Sequence, residues 1–209
     1  MNKAASILLT FFTIIYLNLF GQSTIQEAEV LKESISELNY KLPIIYVKKY
    51  ANSSKRNELI DKIKYGKFFL KINEIYDPDS YKTTKSEIVD SLILTKSEIN
   101  YIIGKLVQNI CWKKDLFDSS ILVNNYQEGN NYIKLLESKN PTYNKERKYY
   151  VFTFIKPIFI RNNSVCLVIF GADHGQDCPI VKKAFYRKTG NNWKEWIPIF
   201  NRLLRLSCI

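Results

Sequence analysis

The chain has 209 residues, 46% of them hydrophobic, and a formal net charge of +11. That apolar share supports a packed core and excludes a wholly disordered chain. One histidine and four cysteines with no C-x-x-C pair argue against a structural zinc site, and no phosphate-binding glycine loop, G-x-S-x-G elbow or H-E-x-x-H pair occurs.

The N-terminus reads as an export signal. Lys3 gives a positive start, Ala4 to Phe20 is a mostly apolar run, and the small residues of GQS follow. Residues 1–21 are therefore expected to leave as a signal peptide. A cut after Gly21 leaves Gln22 first; a cut after Ser23 fits the small-x-small rule better. No cysteine lies near either cut, so a lipoprotein anchor is not supported. Residues 22–209, 188 in all, are expected to form one domain. No second apolar run is long enough to span a bilayer, so the mature chain is expected in the periplasm or secreted, with no membrane span. Its charge, +10 once Lys3 is gone, is spread along the chain and interleaved with acids. Such interleaving marks solvated surface more than a polyanion site, and export argues against a genomic nucleic-acid partner.

The first mature segment has the pattern of a capped helix. Thr24 and Glu27 form a capping box, and Ile25, Ala28, Leu31, Ile35 and Leu38 recur at helical spacing. Pro43 ends that pattern. Residues 44–50, IIYVKKY, fit either a strand or a helix. Ser54 to Tyr65 predicts a second helix with Leu59, Ile60 and Ile63 inward and Gly66 as its C-cap. Residues 67–76 predict a strand, and 76–84 a turn around Pro78. Asp77 and Asp79 in that turn lack the further oxygens and the glycine of a calcium loop.

TKSEI occurs twice, at 84–88 and 95–99. The second copy starts the clearest helix: Thr95 and Glu98 form a capping box, and Ile99, Ile102, Ile103, Leu106, Val107 and Ile110 follow on one face. Residues 116–123 look extended, 132–138 fit a helical turn or a strand, and Asn140-Pro141 opens a surface loop. The last third is strand-like. Residues 149–160, 164–170, 178–188 and 193–200 are rich in aromatic and β-branched residues, with turns at Asn162-Asn163 and Thr189–Asn192. Pro157 and Pro198 predict bulges or edges. The fold class expected is α+β: N-terminal helices packed on a C-terminal antiparallel β-meander.

Several short motifs together resemble a loose group of uncharacterised exported proteins like those of Bacteroidota. They are the capped helix, the strand Lys156-Pro157-Ile158-Phe159, and the hairpin from Tyr186 and Lys188 through Gly190 to Trp193. The resemblance covers roughly residues 92 to 196, about half the chain. One extra residue precedes Trp193, and GADHGQDC stands where a Cys-Gly loop is usual. The resemblance implies export and an α+β domain. It implies no activity, substrate or catalytic residue.

GADHGQDC, residues 171–178, gathers Asp173, the sole histidine His174, Asp177 and Cys178. A Cys–His pair has the makings of a thiolate nucleophile and its base. His174 and Cys178 are also four apart, the spacing of two ligands on a helix, but Gly175 and Pro179 disfavour a helix there. Glycines and aspartates are equally what a turn between two apolar strands needs. If residues 165–170 and 180–186 pair around this loop, Cys166 faces Ala184. It then lies about six strand positions, or ~20 Å, from Cys178, far beyond disulfide reach. Four cysteines, Cys111, Cys166, Cys178 and Cys208, allow three pairings. Cys111 or Cys208 could reach Cys178; Cys166 reads as a buried small side chain. Trp193 and Trp196 are three apart and so face opposite sides of a strand, and Trp196 with Tyr186 is a candidate sugar platform.

The expectation is thus an exported, non-catalytic domain acting by interaction in the periplasm or outside, with an envelope protein or glycan as partner. The alternatives are a small hydrolase or thiol enzyme centred on His174 and Cys178 with Asp173, and a polyanion- or glycan-contacting protein. No cofactor or metal is expected.

Overall fold

The computed structural model describes residues 25–49, 53–73, 86–108, 111–112, 116–139, 148–174 and 179–202. The proposed signal peptide, the Thr24 cap, the Pro78 turn, Ile110, the Asn140-Pro141 loop, Asp177, Cys178 and Cys208 lie outside them.

Helix α1 spans residues 25–35 and tightens into a 3₁₀ turn at Ser36–Leu38. Asn39 stops it, in the left-handed region at φ 47°, before Pro43 is reached. The buried face of α1 is wider than the expected one: Leu31 and Ile35 are buried and Ala28 and Leu38 pack on the same core, as expected. Ile25 is exposed, while Glu27, Val30, Leu31, Ser34 and Ile35 are buried. The buried Glu27 carboxylate pairs with Lys156 Nζ at 3.1 Å.

The ambiguous IIYVKKY resolves as strand β1, Ile44–Val47, with all four residues buried. An apolar run with no alternation suits a strand covered on both faces. Helix α2, Ser53–Tyr65, ends at Gly66 with φ +71°. A side chain there would be strained by that angle, and its Cβ would sit 2.9 Å from Ile99 Cδ1. Strands β2, Lys67–Asn73, and β3, Ser86–Ile93, form a separate antiparallel ribbon. Its ladder skips Val89, a bulge opposite Leu70 and Lys71.

Helix α3, Lys96–Leu106, carries the expected capping box: Glu98 N donates to Thr95 Oγ1, and Thr95 N to Glu98 Oε2. Ile102 and Leu106 are buried, but Val107 is exposed. Strand β4, Ser120–Val123, follows. The segment that fitted a helical turn or a strand belongs to a full helix α4, Tyr126–Lys139. The remaining strands are β5 Val151–Phe154, β6 Ile158–Ile160, β7 Val165–Asp173, β8 Ile180–Thr189 and β9 Asn192–Arg202.

The main sheet runs β4-β1-β5-β7-β8-β9, with β6 in line with β5 along the same side of β7. Pro157 falls in the break between β5 and β6, and Pro198 beside a register shift of β9 against β8. The last three strands are the expected antiparallel meander. The sheet as a whole is mixed, because β1 runs parallel to both β4 and β5. The fold class is α+β, with N-terminal helices before the C-terminal strands.

Both faces of β7 are buried, and the alternation of strand side chains sorts the core into layers. Cys166, Val168 and Phe170 pack with Val30, Leu31 and Ile35 of α1 and with Phe152, Phe154, Tyr186 and Trp193. Leu167 and Ile169 face the other way, onto α2, α3 and the ribbon through Ile63, Ile102, Phe68 and Leu92. At the parallel end, Ile133 of α4 covers Ile45, Val123 and Val151. Trp112 Nε1 donates to Phe154 O at 2.8 Å, satisfying the one polar atom of a buried indole.

Candidate functional site

The first three residues of GADHGQDC end β7, which pairs with the following β8, and residues 175–178 lie outside the described residues. The register differs by two residues from the expected one. Cys166 faces Tyr186, and Val168 faces Ala184. Asp173 is the last residue of β7, opposite Val151. It shares its side of the strand with Gly171, near Thr153 and Tyr126 of α4. Tyr126 Oη lies 3.1 Å from Thr153 Oγ1. Burial pushes the Tyr126 phenol up, the Thr153 bond opposes this, and the Asp173 charge adds to the rise.

His174 follows on the other parity, that of Ala172 and Phe170. Its ring meets Tyr150 edge-on at 5.6 Å between centroids, and Nε2 is 3.4 Å from Lys148 Nζ. Cys178 lies outside the described residues. Cys166 is fully buried, and that burial, followed by the Glu27 charge, pushes its thiol well above the ordinary range. It behaves as a core side chain. Cys111 is exposed with a free thiol. Among the described residues, no three His, Cys, Asp or Glu side chains cluster as metal ligands.

The two tryptophans of β9 do face opposite layers. Trp193 is buried against Phe159. Trp196 packs with the other layer, donates from Nε1 to Asp90 Oδ2 at 2.6 Å, and carries the Arg187 guanidinium over its ring at 4.6 Å. The Trp196 bond, then that of the Ser91 amide, holds the Asp90 carboxyl below its ordinary value. Tyr186 is buried in the Trp193 layer, and burial followed by the Glu195 and Glu37 charges pushes its phenol far up. Tyr186 and Trp196 thus do not make one sugar platform.

Two clefts flank β9. One, of about 490 Å³, holds Lys182 between Glu37 at 3.2 Å and Glu195 at 2.5 Å, with Lys71 also in its lining. The other, of about 590 Å³, lies between α2, β2 and β9. Phe68, Pro198 and Ile199 line it, and Tyr65 and Phe69 reach it from exposed positions. Its acids are matched within α2: Glu58 pairs with Lys62 at 3.4 Å and Asp61 with Lys64 at 3.0 Å. Lys67 and Lys71 are exposed and form no ion pair among the described residues.

The ribbon bordering this cleft also has an apolar outer side. Phe68 and Leu92 point inward, Phe68 onto Phe185 at 5.0 Å. Phe69 is 38% exposed, Ile88 54%, Val89 52% and Ile93 60%, with Lys67 and Lys71 on either side of Phe69. The sequence pattern predicts a strand here but not which of its apolar side chains stay outside. The available signal was KFFLK, in which Phe69 breaks the alternation and sits between two lysines.

The molecule is defined by its fold as an α+β protein built on a mixed sheet covered on both faces, with an apolar and cationic ribbon at one side. No family model, curated protein or solved structure matches the chain. Among the described residues no helix is long and apolar enough to cross a membrane.

Proposed function

We propose that the chain is an exported, non-catalytic domain that acts by interaction, in the periplasm or outside the cell. The observation that carries this reading is the outer side of β2–β3. There Phe69, Ile88, Val89 and Ile93 are exposed together beside Lys67 and Lys71. Scattered exposed hydrophobics are ordinary, but a contiguous group on one ribbon marks a contact surface. The Val89 bulge interrupts the ladder of β3, which disfavours addition of a further strand and favours contact through the face. Export is supported by the N-terminal run from Lys3 to the small residues of GQS and by the resemblance to exported proteins.

A photo-crosslinking residue placed at Ile88 tests the reading, with Tyr132 of α4, also exposed, as the control site. The expected result is a discrete product from Ile88 in the envelope fraction, absent from Tyr132 and lost in an Ile93→Ser background. Equal crosslinking from both sites would refute it. Mass spectrometry of the exported protein tests the leader: a mature N-terminus at Gln22 or Thr24 is expected, and an intact Met1 would refute cleavage.

A further inference from the structure

We infer that the cleft between α2, β2 and β9 binds an anionic amphiphile, a compact carboxylate or phosphate head on an apolar tail. The inference rests on the interaction reading and gives one part of that surface a ligand class. Its volume of about 590 Å³ falls in the range of small-molecule sites, roughly 300–1,000 Å³. Its lining divides into two chemistries. Phe68, Pro198 and Ile199 supply an apolar wall with no charge to desolvate. Lys67 and Lys71, four apart on β2, project to the same side of the strand as Phe69 and line the cleft beside that wall.

The charge balance of the cleft sets the sign of the head. Glu58 and Asp61 are neutralised by Lys62 and Lys64 of their own helix. The lysines of β2 have no such partner among the described residues, so the surplus is positive. A cationic ligand would meet repulsion, and a neutral one would leave both ammonium groups without a counter-charge. An anionic head takes charge-assisted bonds from them, while its tail lies on the wall between Phe68 and Ile199. Tyr65 and Phe69, 70% and 38% exposed, stand at the mouth where a tail would enter.

The test is calorimetric titration of the purified protein with dodecanoate below its micelle concentration, beside dodecanol and dodecyltrimethylammonium. Dodecanoate is expected to bind in one-to-one ratio, to weaken with added salt, and to bind at least about tenfold more tightly than either control. Lys67→Glu/Lys71→Glu, both at exposed positions, should lower its affinity about tenfold or more with Tm unchanged. Tyr65→Ala/Phe69→Ser should weaken dodecanoate and dodecanol alike, by shortening the apolar mouth. No binding of dodecanoate, equal binding of dodecanol, or unchanged affinity in the double lysine variant would each overturn the inference. Crosslinking from Ile88, on the strand that does not line the cleft, reports on the interaction reading independently. A persistent Ile88 product with no dodecanoate binding would remove the ligand and leave the contact surface.

Discussion

Gly129 tests whether packing or helix propensity governs the covering of the parallel end of the sheet. It is buried in α4, and a Cβ added there would lie 2.6 and 2.7 Å from the two Val151 methyl groups and 3.3 Å from Val151 Cβ. Val151 cannot turn aside. It is fully buried, β-branched, and paired with Ile45 on one side and Asp173 on the other. Replacing glycine by alanine in a helix interior gains about 1 kcal/mol of propensity. Overpacking a filled core costs about 1–3 kcal/mol, and two methyl contacts under 3 Å place this site toward the upper figure. Gly129→Ala should therefore be destabilising by about 1–2 kcal/mol. For a chain of this length that is a fall in Tm of roughly 2–8 °C by circular dichroism. Gly104 of α3 is the control: nothing lies within 4 Å of its added Cβ, so Gly104→Ala should raise Tm by about 2–4 °C. Gly129→Ala/Val151→Ala should lose less than the two single changes together, by about 0.5–3 kcal/mol. If Gly129→Ala raises Tm as Gly104→Ala does, α4 is not seated on Val151 and the reasoning fails.

Three further expectations concern the termini, thiols and the ribbon. Glu98 is partly buried, which raises its pKa, but the Arg161 bond and the Thr95 amide together hold it below the ordinary value of 4.5. A depressed carboxylate contributes stability above its unfolded pKa that is lost as pH falls through the lower folded value. Glu98→Gln should thus flatten the acid limb of a Tm-against-pH series below pH ~4.5, and Thr95→Ala should cost about 1 kcal/mol at neutral pH. An unchanged acid limb would count against the Arg161 contact. A maleimide reagent should modify Cys111 in the native protein and reach Cys166 only after denaturation, as read by peptide mass mapping; native labelling of Cys166 would contradict its buried placement. Trp196→Phe removes the donor to Asp90 and weakens the seat of Arg187, so amide exchange in β2–β3 should quicken while β7 stays protected. Equal acceleration in both would mean that Trp196 supports the whole sheet and not the ribbon alone.

Local chemistry makes several elements legible in the sequence itself. The Thr95–Glu98 box, Gly66 after α2 and the turn at Gly190 each act within a few residues, so their effect is written in adjacent letters. The apolar run of β7 and the aromatic and β-branched residues of β8 likewise show as strands, and with them the hairpin they form. The two-residue shift of that hairpin was not legible. Register is set by which side chains fill each layer, and here Tyr186 opposes Cys166 in the layer under α1.

What the sequence alone determined is the α+β class, the caps at Thr95 and Gly66, the strand-rich last third and the pleat that parts Trp193 from Trp196. Tertiary structure decided the rest, because it depends on partners far along the chain. The Lys156 ammonium pairs with the buried Glu27, and β1 lies between two parallel neighbours. The ribbon spends Phe68 on the core while leaving Phe69 and its lysines outside. Caps and turns close over short chain distances; burial and surplus charge are settled only when separate segments meet.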